Sequence, residues 1–300
     1  MASLSLYAMI LPSPLRSLTT EIMNVNETFQ AKLVYPIDVR RSVLTMLHRA
    51  KASHLGSNMS AIEILIAIYS SVNCKKIREQ TPDRDRILIS KGHCAAATYA
   101  VMAHFGILPI ILLDTYHQNG SLLTGHVNHS VHGVEHSTGA LGHGINVAVG
   151  CALGLRSRGH NDSLVFAMLG DGELQEGSIW EAMMFIASKK LNNLITLVDN
   201  NRISSITSTQ NVIDMNPIAN RFEGFGLTTY VVDGHDVSAI KSAIVSIIKN
   251  SVPSVILCNT VKGKDVPFAE WEPIWHYRSL NDQQFFEANA HLDMLAANLI

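Results

Sequence analysis

Two polar clusters carry residues that could do chemistry. Gly170-Asp171-Gly172 closes one apolar run and Asp199-Asn200-Asn201 closes another, so Asn201 stands thirty positions after Asp171. Asp171 offers a hard carboxylate, Asn201 an amide oxygen, and the main chain at Ile203 a carbonyl. Three such oxygens suit Mg2+ or Ca2+, with a diphosphate and a water completing an octahedron. Gly170 and Gly172 let the backbone approach an anion closely. A helix expected to begin near Ser178 would aim its N-terminus at the same place and favour negative charge there. Either cluster alone reads as an ordinary turn, since Asp-Gly commonly follows a strand and Asn tolerates left-handed backbone. At two strand ends flanking one helix, they read together as a metal and diphosphate site.

The runs that must hold these clusters are LVFAML (164–169) and LITLV (194–198). Both predict strands, and residues 178–188 predict the helix between them. A right-handed crossover puts the two strand ends on one side of the sheet, at the edge where open α/β sheets bind ligands. Further strands are expected at 86–90, 228–232 and 254–259. Helices are expected at 37–53, 61–69, 95–105, 145–155, 237–249 and 282–295, with Gly150 and Gly154 permitting close packing of the fourth. The alternation implies an α/β fold with a mainly parallel sheet flanked by helices on both faces. Residues 117–144, rich in Gly, His, Ser and Thr, form a long loop of the kind that carries function.

The chain has 300 residues, 47% hydrophobic and 16% charged, with a net charge of −2. That composition supports a substantial core and gives no basic surface for nucleic acid or a membrane. No apolar run reaches the roughly 18 residues of a membrane span. Cys74, Cys94, Cys151 and Cys258 are scattered without a CxxC pair, which argues against a disulfide framework and points to a reducing cytoplasm. Residues 1–30 are read as an extension outside the domain. Within it the first 22 positions are a loose segment or a misplaced start, because Met23 opens a more ordinary beginning. His126, His129, His132, His136 and His143 crowd one loop. A zinc site competes there with a polar active-site loop, and no Cys or acid completes a recognisable ligand spacing.

The motifs, taken in order, resemble the transketolase family. Gly-Asp-Gly followed by Asn-Asn about thirty residues later resembles its thiamine-diphosphate motif, and GDGELQEG is similar to the transketolase form of it. KASHLGSNMSAIEIL (51–65), DRILISKGHC (85–94) and TGHVNHSVHGVEHSTGALGHG (124–144) resemble the family's three histidine segments. TVKGKDVPFAEWEPIWH (260–276) resembles its Lys-Gly-Lys-Gly segment and closing Trp-His. The match spans about residues 35–285, and residues 31–300 are then expected to be a single diphosphate-binding domain.

The resemblance implies that Asp171, Asn201 and the Ile203 carbonyl hold the metal, with Gly170 and Gly172 beside the diphosphate. It implies that His93 and the Gly139-Ala140-Leu141 turn meet the diphosphate or the thiazolium end. His54, His126 and His276 would line the substrate channel, His54 and His276 also reaching the diphosphate. Glu176 falls where the family has a buried glutamate joining two active-site halves. Independently of any family, neutral imidazoles suit an enzyme that must move protons to and from sugar hydroxyls near pH 7.

The expected function is transfer of a two-carbon ketol unit from a ketose or its phosphate to an aldose. The alternatives are another thiamine-diphosphate ketol or acyl transferase acting on a specialised sugar, and a non-catalytic cofactor-binding subunit that serves assembly. Val127 where transketolases commonly have Pro, Tyr277 where Gly usually follows the His, and the extra loop histidines bear on the substrate rather than the cofactor. Ile300 follows soon after the diphosphate domain. The resemblance therefore implies a separate C-terminal subunit carrying the pyrimidine-binding domain, in a heterotetramer with two copies of each chain.

Overall fold

The computed structural model describes residues 33–297, and the expected extension over residues 1–30 lies outside the described residues. Helix α1 (Pro36–Ala50) opens on a proline, which loses no helical hydrogen bond there, and buries Val39, Val43, Met46 and Leu47. Helix α2 (Leu55–Ser70) is buried on every side from Leu55 to Tyr69, as its all-round apolar run requires. It begins six residues before the expected start, because Gly56, Ser57 and Asn58 are weak helix formers that burial overrides. A short helix α3 (Cys74–Glu79), capped by the Asn73 side chain, leads to strand β1 (Arg86–Ile89) and helix α4 (Ala95–His104).

After the long loop come α5 (Gly144–Ser157), β2 (Val165–Gly170), α6 (Gly177–Ser188) and β3 (Leu194–Asn200). Two short helices, α7 (Thr209–Val212) and α8 (Ile218–Gly224), precede β4 (Thr228–Asp233), α9 (Val237–Asn250), β5 (Ser254–Asn259) and α10 (Asp282–Ala297). The sheet runs β1-β2-β3-β5-β4, and every neighbouring pair is parallel.

Successive strand residues point to opposite faces, and each face has its own core. Phe166, Met168, Ile195, Leu197 and Ile256 pack with α1, α2, α4 and α9. Ala167, Leu169, Val198, Val255 and Leu257 pack with α5, α6 and α8 on the other face. Helices thus flank the sheet on both sides, as the alternation predicts. One expectation fails: a side chain at Gly150 or Gly154 would meet open space, so these glycines do not serve close packing among the described residues. No described helix is long and apolar enough to cross a membrane. All four cysteines are free thiols.

Candidate active site

Strands β2 and β3 are neighbours, and Gly170 stands opposite Asp199 in their register. The two polar clusters therefore emerge side by side at the carboxyl edge of the sheet. Main-chain and side-chain bonds tie them together. Asp171 N–H donates to the Asp199 carbonyl at 3.2 Å, and the Asp171 carboxylate accepts from the N–H groups of Gly172 and Arg202. Arg202 adopts left-handed backbone, with φ 65°, which turns its N–H back towards Asp171. Burial first, then the neighbouring Asp199, pushes the Asp171 carboxyl up to about 7.

Asn201 and Ile203 lie beside it. Asn201 Oδ1 accepts from Ile203 N–H at 3.1 Å. The Ile203 carbonyl accepts from the buried Lys262 ammonium at 3.0 Å, which also donates to the Ser204 carbonyl at 2.6 Å. A cation already grips the carbonyl that sequence reasoning chose as a ligand. Burial, then the nearby Lys91, brings the Lys262 ammonium down to about 8. A cleft of about 380 Å3 opens here, lined by Asp171, Arg202, Ile203, Thr209 and Trp271 among others.

Beneath the strand ends, Lys91 and Asp199 form a fully buried ion pair. Asp199 also accepts from Ser60 and Thr260, and Lys91 donates to the Ser57 carbonyl at 3.1 Å. Burial works against both charges, but their attraction wins: Lys91 is held above its ordinary range and Asp199 below it. Glu173 is a further buried acid of the site. It accepts from Ser90 Oγ, from Gly142 N–H at 2.8 Å and from Gly170 N–H at 3.2 Å. It thereby ties the long loop to the end of β2.

Four imidazoles from four separate segments meet above this base. The His54 ring centroid lies 5.6 Å from His93, 5.4 Å from His126 and 4.8 Å from His276, and His93 lies 5.3 Å from His276. Each is placed by its own element. His54 takes left-handed backbone, φ 70°, immediately before α2. His93 lies in the turn after β1. His126 is anchored through its carbonyl by Tyr99 Oη at 3.1 Å and Thr124 Oγ1 at 2.8 Å. His276 accepts the His54 N–H at its carbonyl at 3.0 Å. Burial is the leading cause of a lowered imidazole pKa at all four: His54 falls to about 4, His276 to about 3, His93 well below its usual value, and His126 also below it. Lys91 and Lys262 add to the effect at His54, His93 and His276. All four rings are neutral near pH 7.

The remaining expected residues fall as follows. Gly139 sits against the His126 ring, where an added methyl would lie 3.6 Å from it. Ala140 and Leu141 continue that turn at the surface. Glu176 is exposed in the chain alone, whereas Glu173, three residues earlier, is buried within it. The loop histidines do not gather into one site. His132 bonds the Arg78 carbonyl, His129 bonds Ser137, and His143 bonds the Leu141 carbonyl.

Sequence reasoning gives no role to Lys91, Lys262, Glu173 or His117. Lys91 lies inside the second histidine segment and Lys262 inside the Lys-Gly-Lys segment, and two lysines in an apolar strand-and-turn context were the available signal. The His117 ring lies over Gly125, where an added methyl would stand 3.1 Å from Nε2, next to His126.

The chain matches the family model described as transketolase, thiamine diphosphate binding domain, over residues 36–296. It is 36% identical over 243 residues to one subunit of the apulose-4-phosphate transketolase from Actinobacillus succinogenes, covering 80% of this chain and 88% of that one. It is 34% identical over 260 residues to a 6-deoxy-6-sulfo-D-fructose transketolase subunit from a Clostridium species, covering 85% and 94%. The fold superimposes on the crystal structure of Campylobacter jejuni transketolase with a TM-score of 0.78 and 26% identity, covering 86% of this chain but 42% of that one. The chain thus spans less than half of the solved transketolase and nearly all of the subunit-sized relatives. Strand-end clusters, converging histidines and these matches agree: the chain belongs to the transketolase family and corresponds to its thiamine-diphosphate-binding domain.

Proposed function

We propose that this chain is the diphosphate- and metal-binding subunit of a two-chain transketolase that moves a two-carbon ketol unit from a ketose to an aldose. The observation that carries the reading is the meeting of four neutral imidazoles, among which His276 contacts Ser57 at 3.4 Å, the residue whose carbonyl accepts from Lys91 of the Lys91–Asp199 pair at the strand end. Thiamine diphosphate, when bound, supplies the nucleophilic carbon and the electron sink for cleaving a bond next to a ketose carbonyl.

The residues fit a divalent cation and a diphosphate. Asp171 is a buried carboxyl whose pKa is pushed up, so a cation beside it would relieve the cost of its charge. Asn201 Oδ1 and the Ile203 carbonyl each keep a second lone pair for a hard ion such as Mg2+ or Ca2+. Lys262 already presents a cation at the same carbonyl. Gly170 and Gly172, His93 and the Gly139-Ala140-Leu141 turn would hold the diphosphate and thiazolium end, with His276 reaching the diphosphate as well.

His54, His126 and His276 would act on the sugar. A neutral imidazole can donate from one ring nitrogen and accept at the other, so these rings can hold hydroxyls in register and pass a proton to or from a sugar oxygen. His117 stands at the outer edge of the cluster and would contact the far part of the sugar. The two named relatives act on sugars that each carry an anionic group, and a sugar phosphate or sulfonate is the substrate class we infer for this chain.

The partner is a separate pyrimidine-domain chain. The surface supports this: Leu153 on α5, and Met184 and Phe185 on α6, are exposed apolar residues near the open glycines Gly150 and Gly154. Glu176, exposed at the start of α6, would be covered there and would link the two halves. The test is ketol transfer by this chain alone, by its companion alone, and by both co-expressed with thiamine diphosphate and Mg2+. Turnover only in the mixture is expected. Full turnover by the single chain would overturn the two-chain reading.

A further inference from the structure

Glu63 is a buried acid in the middle of α2, with apolar residues from Ala61 to Ile68 on either side of it. A charge in such a place needs partners. Arg40 of α1, also buried, donates to one carboxylate oxygen at 2.6 Å, and His235 Nδ1 meets the other at 3.1 Å. Arg40 Nε in turn donates to Asp265 at 3.0 Å. Burial works against the Glu63 charge, but Arg40 and His235 outweigh it and hold the carboxyl below its ordinary range.

His235 lies between the end of β4 and the start of α9. Its other ring nitrogen, Nε2, accepts from the Val261 N–H at 2.8 Å. A main-chain N–H can only donate, so Nε2 is the bare nitrogen and Nδ1 carries the proton that Glu63 accepts. The two bonds fix the tautomer and the orientation of the ring together.

Val261 belongs to a segment that is gripped along its length. Thr260 N–H donates to the Asn200 carbonyl at 3.2 Å, and its hydroxyl donates to Asp199. The Lys262 carbonyl accepts from Trp271 N–H at 3.0 Å, and Gly263 N–H donates to the Gly56 carbonyl at 3.0 Å. The Lys262 stem crosses Gly56, where an added methyl would stand 2.9 Å from Cγ. At Val261 the partner is a side chain, and its aim is set by a buried charge pair from two other helices. One residue on, the Lys262 ammonium meets the carbonyls of Ile203 and Ser204.

We propose that His235 is a positioning residue for the cofactor site. Held by Glu63, it fixes the Val261 main chain and with it the Lys262 ammonium that braces the Ile203 and Ser204 carbonyls, beside Asn201. The inference rests on the reading that these groups receive a metal and a diphosphate. Without an acceptor at His235, the half-buried Val261 N–H is left unpaired. The segment then has to turn to satisfy it, and that turn moves Lys262.

Two variants separate the two ring nitrogens. His235→Asn brings an amide nitrogen to the Nδ1 position and keeps the donor to Glu63, but offers Val261 no acceptor. His235→Gln carries an amide oxygen to the Nε2 position and keeps the acceptor for Val261, but not the donor to Glu63. Amide hydrogen exchange of the cofactor-free full chain reads the Val261 N–H directly. Calorimetric titration of the enzyme assembled with its companion reads the affinity for thiamine diphosphate in the presence of Mg2+. In His235→Asn, Val261 should exchange faster and the cofactor should bind roughly 10–100-fold more weakly, the usual loss when a group that orients a ligand is removed. In His235→Gln, Val261 should stay protected and affinity should stay close to the parent, whichever variant melts lower. A merely structural His235 would weaken both variants in proportion to their loss of melting temperature. That result, or a His235→Gln as weak as His235→Asn, would overturn the inference. If His235→Asn does not fold, His235→Gln decides by itself: a folded variant with Val261 released or affinity lost overturns it. A parent that binds no cofactor would fail the functional reading instead, and exchange at Val261 in the variants would then decide the role of His235.

Discussion

The main-chain N–H of His54 donates to the carbonyl of His276 at 3.0 Å, and their rings meet edge to face with centroids 4.8 Å apart. Residues 222 positions apart in the chain are thus locked to each other by backbone and by ring. The contact joins the start of α2 to the segment after β5, and it closes the histidine cluster over the strand ends. Neither ring can take a proton cheaply there.

Acid sensitivity follows. The folded chain holds His54 at about 4 and His276 at about 3, against an ordinary 6.5. Below 6.5 the unfolded chain therefore binds more protons than the folded one. Stability rises with pH wherever that is so, and it falls as the pH drops from about 6.5 towards 4. The melting temperature of the cofactor-free chain should decline over this window. His54→Asn keeps a residue that tolerates φ 70° and has no group to titrate, so its decline should be shallower. Parallel declines in the two proteins would remove the argument.

Asp171→Asn tests the metal. The substitution keeps the shape and the bond from Gly172 N–H but removes the carboxylate not already bound to a lysine, since Asp199 is paired with Lys91. Calorimetric titration of the assembled enzyme with thiamine diphosphate and Mg2+ is expected to show affinity reduced by at least 100-fold, with the circular dichroism spectrum unchanged. Affinity within a few-fold of the parent would mean that Asp171 is not a ligand.

The sheet was legible because continuous apolar runs ending in Gly-Asp-Gly and Asp-Asn-Asn leave few alternatives, and β2 and β3 stand where those runs predict, buried on both faces. The start of α2 was not, since Gly56 to Asn58 resist a helix until burial on all sides imposes one. The same holds for α8, whose short amphipathic turn gives too little periodicity to read. Among site residues, spacing pointed to Asp171, and the family resemblance pointed to the histidines that the fold brings together. It missed Glu173, because only the fold reveals that Ser90, Gly142 and Gly170 all aim donors at one carboxylate.

Lys91 and Asp199 offer a sharper energetic test. Removing one partner of a buried pair leaves an uncompensated charge, at a cost of about 3–5 kcal/mol. Lys91→Met should therefore lower the melting temperature by roughly 6–20 °C, at about 2–4 °C per kcal/mol for a domain near this size. It should also push the Asp171 carboxyl further up, because Lys91 is the cation that pulls it down. Lys91→Met combined with Asp199→Leu removes both charges and should recover part of the loss. A double variant no more stable than the single one would show that the pair is not what the fold depends on here.

The last prediction concerns the surface that a partner must cover. On α6, Met184 is 52% exposed and Phe185 39%, and on the adjacent α5 Leu153 is 36% exposed, beside glycines that meet nothing. Exposed apolar residues scattered singly need no explanation, but a contiguous patch marks an interaction site. α5 and α6 pack on each other and both turn apolar residues outwards, and this face is the proposed docking surface. Met184→Glu places a charge in it without touching the core, since Met183 and Ile186 fill the buried side of α6. The variant should fold and melt like the parent when purified alone. Co-expressed with the companion chain, it should fail to co-purify with it and should lose ketol transfer. The same charge at Val245, 63% exposed on α9, serves as the control and should leave assembly intact. If Met184→Glu assembles as well as the control, the partner docks elsewhere.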